Sequence, residues 1–79
     1  MDELLTRISA SPQVMAGKPV IRGTRLTVEY ILGLLAQGDN IEDIITEYPA
    51  LTRLDIQACL LFASRSLQTV EFMPLSIEG

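Results

Sequence analysis

From Val28 onward the apolar positions recur at helical spacing. Val28, Ile31, Leu32 and Leu35 fall on one side of a helix over about residues 28–37, Thr27 stands ahead of it to cap the first unpaired amides, and Gly38 follows as a C-terminal glycine. Asn40 then caps a second, shorter helix whose Ile41, Ile44 and Ile45 form one face and Glu42, Asp43 and Glu47 the other, ended by Pro49. Thr52 opens a third helix, with Asp55 three residues on, where an acid answers the capping hydroxyl as in a capping box. Ile56, Cys59, Leu60, Ala63 and Leu67 predict its core stripe.

Ahead of these helices the pattern is weaker. Asp2 to Ile8 reads as a short helix or strand with Leu4, Leu5 and Ile8 on one side, broken at Ser9 to Pro12. Val14-Met15 and Val20-Ile21 are apolar pairs flanking Ala16-Gly17-Lys18-Pro19, which predicts a small β-hairpin or extended arm. After the third helix, residues 68–79 alternate loosely between apolar and polar and read as an extended tail. Its Val70, Phe72, Leu75 and Ile77 have no place in a three-helix core and are candidates for partner binding. The expected organisation is one mainly α domain over residues 1–67 plus this tail.

Two helices are apolar on more than their core stripe. The first carries Tyr30 and Leu34 four residues apart, and the third carries Leu54, Ala58 and Leu61. A helix apolar on two faces has two surfaces to cover. Because 79 residues form a small core and 48% of them are hydrophobic, the surplus predicts a homodimer interface at Tyr30, Leu34, Leu54 and Leu61.

Charge changes the picture. The net charge of -4 argues against a polyanionic partner, yet Leu4 to Val28 contains Arg7, Lys18, Arg22 and Arg25 and no acid. Such a local field can hold anions that the total charge repels. Lys18, Arg22 and Arg25 are therefore candidates for phosphate contacts, with Gly17 and Gly23 letting the backbone approach. The alternative is structural: Gly23 makes a tight turn, Thr24 bonds the backbone, and the arginines pair with acids such as Glu29 and Glu47 across a dimer. The second and third helices have helix-turn-helix lengths, which would place Arg53 and Gln57, one turn apart, against base edges. Their alternative is a solvated face of an ordinary three-helix bundle, with Glu42, Asp43 and Glu47 repelling phosphate.

Catalysis finds little in this chain. It has no histidine, no Cys/His cluster for zinc, and a single cysteine on an apolar stripe. No enzyme, cofactor or metal is expected. The lone cysteine and the lack of a secretory signal pattern place the protein in the cytoplasm, and no apolar run approaches the roughly 20 residues of a membrane span.

The ordered set Gly17-Lys18-Pro19-Val20-Ile21-Arg22-Gly23-Thr24-Arg25, a helix ending at Gly38, Ile41-Glu42-Asp43-Ile44, and Tyr48-Pro49-Ala50-Leu51-Thr52 leading to Asp55-Ile56 resembles the bacterial domain-of-unknown-function family 433. The resemblance covers about residues 8–66. It implies a homeodomain-like three-helix core with an N-terminal extended arm, and an antitoxin-like role related to the VapB type beside a PIN-like nuclease toxin. Arg53-Leu54 stands where an acidic pair is more usual in that family, which makes the proposed recognition helix more positive. The combined expectation is a homodimeric antitoxin that binds operator DNA through Lys18, Arg22, Arg25, Arg53 and Gln57 and engages a toxin through its tail. The alternative is a homodimeric protein-interaction module that never touches DNA.

Overall fold

A computed structural model describes residues 2–68 of the chain, so the tail residues Val70, Phe72, Leu75 and Ile77 lie outside the described residues. The architecture is mainly helical. Helix α1 (Asp2–Leu5) leads to strand β1 (Ile8–Ser9), a tight turn at Met15–Gly17 and strand β2 (Val20–Ile21); helices α2 (Val28–Ala36), α3 (Ile41–Glu47) and α4 (Arg53–Ser66) follow.

All three of the longer helices begin at the residues that local chemistry selects. Thr27 Oγ1 accepts the amide of Tyr30 at 3.0 Å. Asn40 and Asp43 form a reciprocal capping box, each side chain serving the other's backbone amide. Thr52 and Asp55 do the same at α4. Each such cap satisfies amides that the helix itself cannot pair and contributes about 1 kcal/mol. The chain leaves α2 through Gly38, whose φ of 110° lies in the left-handed region. Tyr48, restricted by the proline that follows it, ends α3 with φ -122° and ψ 81°. The α3–α4 connection is five residues, Tyr48 to Thr52, and is pinned from inside by buried Leu51, whose amide donates to the Tyr48 carbonyl at 2.9 Å.

The core joins both strands and the three longer helices: Ile8 and Ile21 from the strands, Val28 and Ile31 from α2, Ile44 from α3, Leu51 from the turn, and Ile56, Ala58 and Cys59 from α4, with half-buried Leu4 of α1 packed against it. Ile31, Ile44 and Ile56 are fully enclosed, so truncating any of them to alanine costs about 2 to 5 kcal/mol.

Two sequence expectations are corrected. The hairpin partners are not Val14-Met15 and Val20-Ile21. β2 pairs antiparallel with β1, in the register Ile8 to Ile21 and Ser9 to Val20, while Val14 bridges back to Ser11. The segment after β2 returns on it through a turn that needs positive φ at Gly23 (84°), so that the Ile21 amide donates to Leu26 O and the Val28 amide to Pro19 O. The buried face of α4 also differs. Ala58, expected outside the core stripe, is fully buried, whereas Leu60 and Leu67, expected within it, are 46% and 61% exposed. The face is turned toward the line of Asp55, Ala58 and Phe62 because α1 and β1 pack there, and because Asp55 is drawn inward by its own partners.

Candidate interaction surface

The basic arm folds back on the protein. Arg22 Nε donates to the Thr6 carbonyl at 2.7 Å and a terminal nitrogen donates to the Ile8 carbonyl at 3.3 Å, so its guanidinium fastens β2 to the segment before β1. Lys18 pairs with Glu29 at 3.2 Å, both side chains being well exposed. Arg25 is exposed and finds no ion-pair or hydrogen-bond partner among the described residues. The three basic residues named from the sequence thus differ in kind: Arg22 positions the arm, Lys18 is engaged in a surface pair worth at most about 1 kcal/mol, and Arg25 is available.

At the amino-terminal end of α4, Arg53 and Gln57 both face solvent. Arg53 forms an ion pair with Glu42 of α3, again between exposed side chains. The same outward side of α4 carries Leu54, 45% exposed, half-buried Leu61, and the exposed pair Leu60 and Leu67. Gln57 therefore stands one turn after Arg53 on a side of the helix otherwise made mostly of leucines. Of the residues expected at a dimer interface, Tyr30 and Leu54 are exposed, Leu61 is half-buried, and Leu34 packs against the core.

Tyr48 was not singled out by the sequence. Its hydroxyl meets that of Tyr30 at 2.6 Å, and the rings stand edge to face with centroids 6.1 Å apart. The hydrogen bond shared with Tyr30 raises the Tyr48 pKa, helped by desolvation and by the nearby charges of Glu47 and Asp39. No sequence signal joins these residues, since they sit 18 positions apart on different elements. Cys59 is buried in the core, and burial pushes its thiol up to about 11 with a further contribution from Asp55, which makes it a poor nucleophile. Among the described residues no group of three or more Cys, Asp or Glu side chains could hold a metal ion, and no helix is long and apolar enough to cross a membrane.

A family model described as "Protein of unknown function (DUF433)" matches residues 8–63. The chain belongs to the DUF433 family. Its matched region runs from β1 into the last turns of α4 and so takes in the sheet, the arm and the three-helix unit. The chain is 30% identical over 56 residues to the uncharacterized protein y4eO of Sinorhizobium fredii (strain NBRC 101917 / NGR234), an alignment that covers 71% of this chain and 25% of that protein. It is also similar to the crystal structure of a DUF433 member from Anabaena variabilis ATCC 29413, at 28% identity and a TM-score of 0.74, covering 81% of this chain and 63% of the other. This chain thus spans a quarter of one relative's length and under two thirds of the other's.

Proposed function

We propose that this DUF433 protein is an antitoxin-like regulator, a cytoplasmic homodimer whose α3, turn and α4 act as a homeodomain-like helix-turn-helix on its own operator and whose tail, with Val70, Phe72, Leu75 and Ile77, holds a PIN-like toxin of the VapB-partner class. The observation that carries it is the pair Arg53 and Gln57, both exposed at the amino-terminal end of the second helix of a tightly turned pair, where side chains of that type can reach base edges. The Arg53–Glu42 and Lys18–Glu29 pairs do not oppose this, because exposed ion pairs exchange readily for phosphate. Arg22 contributes by holding the arm, so Lys18 and Arg25 supply the arm's phosphate contacts.

The test is a binding titration of the full chain against its own promoter fragment and an unrelated duplex at two salt concentrations. Two arms with two cations each neutralise about four phosphates, giving a log-log salt slope of about -4. Arg53→Ala should cost about 1 to 3 kcal/mol on the promoter and much less on the unrelated duplex. Absence of binding at low salt sinks the DNA-binding part.

One observation favours a second reading, a homodimeric protein-interaction module without DNA binding: the outward side of α4 is dominated by Leu54, Leu60, Leu61 and Leu67, which suits a protein surface better than a groove of DNA. A dimer that buries these leucines and ignores both duplexes is what that reading requires.

A further inference from the structure

Beside the tyrosine pair lies a cleft of about 330 Å³ lined by Met15, Arg25, Leu26, Thr27, Tyr30 and Tyr48. A larger open depression of about 700 Å³ adjoins it and shares Arg25, Leu26 and Tyr48. Three features separate this place from ordinary surface. Arg25 points no charge at any acid among the described residues, although the chain is acidic overall. The tyrosine pair spends one hydroxyl hydrogen internally and keeps the other for a ligand. Met15, an exposed apolar side chain, is carried to the rim by a strained turn, since Met15 and Ala16 both hold positive φ (50° and 56°) without being glycine. Strain retained at an exposed apolar rim is a feature of binding sites.

We propose that this cleft docks an extended peptide segment of a partner protein, one that carries a single carboxylate next to apolar side chains. The carboxylate is taken by the Arg25 guanidinium and the spare tyrosine O–H, and the apolar neighbours cover Met15, Leu26 and the faces of Tyr30 and Tyr48. Charge selects this occupant. Another flank of the same tyrosines is lined by Asp39, Asp43 and Glu47, which penalises every negative charge beyond the one that Arg25 can answer, and the nearby Arg22 is engaged on main-chain carbonyls. One cation with an apolar surround matches one carboxylate with apolar neighbours. The docking site rests on the cleft alone; because Arg25 is also one of the cations proposed to contact phosphate, a duplex and the peptide would compete for it.

The experiment is a titration of the isotope-labelled full chain followed by backbone amide shifts, with acetyl-Leu-Glu-Phe-Leu-amide as the probe and its Gln counterpart as the control. The Glu peptide should shift the amides of Met15, Arg25, Tyr30 and Tyr48 in the millimolar range and bind about fivefold tighter than the Gln peptide. Arg25→Gln, at an exposed position with no ion-pair partner among the described residues, should keep the fold and erase that preference. Tyr30→Phe should weaken the Glu peptide while leaving the Gln peptide less affected. The proposal is overturned if neither peptide shifts these amides, if Glu and Gln bind alike, if a short single-stranded oligonucleotide shifts the same amides at lower concentration than the peptide, or if diluting the protein alone moves them, which would assign the cleft to self-association.

Discussion

Arg7 and Asp55 lie 48 residues apart and meet at 3.0 Å, the guanidinium donating to a carboxylate oxygen. The Asp55 side chain is 10% exposed and that of Arg7 37%. The second carboxylate oxygen accepts the Thr52 amide at 2.9 Å. One aspartate thus starts α4 and ties the N-terminal segment to it. Arg22 completes the fastening from the other side, through the carbonyls of Thr6 and Ile8.

The two partners should not be equivalent. Asp55→Ala removes a helix cap and leaves Arg7 half-buried without its counter-charge, so it should cost about 2 to 4 kcal/mol. Arg7→Met keeps the cap and much of the stem packing but leaves the more buried Asp55 carboxylate without its counter-charge, held only by Thr52, and should cost about 1 to 3 kcal/mol. Urea unfolding of the two variants and the double variant measures this. Strictly additive losses in the double variant would mean that the pair contributes nothing as a pair.

The turn at Met15–Gly17 offers a prediction of opposite sign. Ala16 sits at φ 56° and ψ 33°, a left-handed conformation that costs a non-glycine residue about 1 to 2 kcal/mol. Ala16→Gly removes that strain and loses part of the gain to the greater freedom of the unfolded chain. The expected result is a net stabilisation of about 0.5 to 1 kcal/mol, seen as a higher urea midpoint with an unchanged slope. A lower midpoint would show that the turn is not strained in solution.

What could be read from the sequence was what is local. The caps at Thr27, Asn40 and Thr52 depend on residues three positions away, and the helical stripes of α2 and α3 repeat within one or two turns, so both were visible in the chain. The strand pairing was not, because two-residue strands carry almost no periodic signal and Ile8 must find Ile21 across an irregular segment. The orientation of α4 is hidden for a related reason: hydropathy alone gives Asp55 no reason to lie inside, whereas in the fold Arg7, 48 residues away, meets it there, one turn before buried Ala58. At the surface, the basic arm was legible as charge but not as structure, since Arg22 is used on main-chain carbonyls that no sequence pattern marks. Tyr48 and the cleft beside it depend wholly on tertiary contacts.

Cys59 predicts a pH dependence. Its thiol is raised in the folded protein to about 11 from an ordinary value of 9.0. Below about pH 9 both states hold the proton and stability is unaffected. Between about 9 and 11 the unfolded chain releases the proton while the folded chain retains it, so stability falls as pH rises, by at most about 1.4 kcal/mol per pH unit. Tyr48, raised as well, adds a loss of the same sign at the upper end. Cys59→Ala should be less stable than the parent at pH 8 and should show a shallower decline from pH 8 to 10. Parallel declines in the two proteins would rule out the thiol as the titrating group.

The leucines of α4 test the proposed homodimer. Leu54 and Leu60 are exposed in the single chain, so a charge at either position should leave the fold intact, with unchanged helical content and a urea midpoint within about 0.5 kcal/mol of the parent. In a dimer that covers them, the same charge would be buried without a partner and should weaken association by about a hundredfold or more. Leu34→Glu is a poor probe by comparison, because Leu34 packs against the core and the variant should simply unfold. Light scattering over a dilution series of the parent, Leu54→Glu and Leu60→Glu separates the cases. A parent that dissociates only on strong dilution, with both variants monomeric and folded, supports association through α4; a dimer that persists in both variants moves the interface away from this helix, and a parent that is monomeric at micromolar concentration removes the dimer from the proposed function altogether.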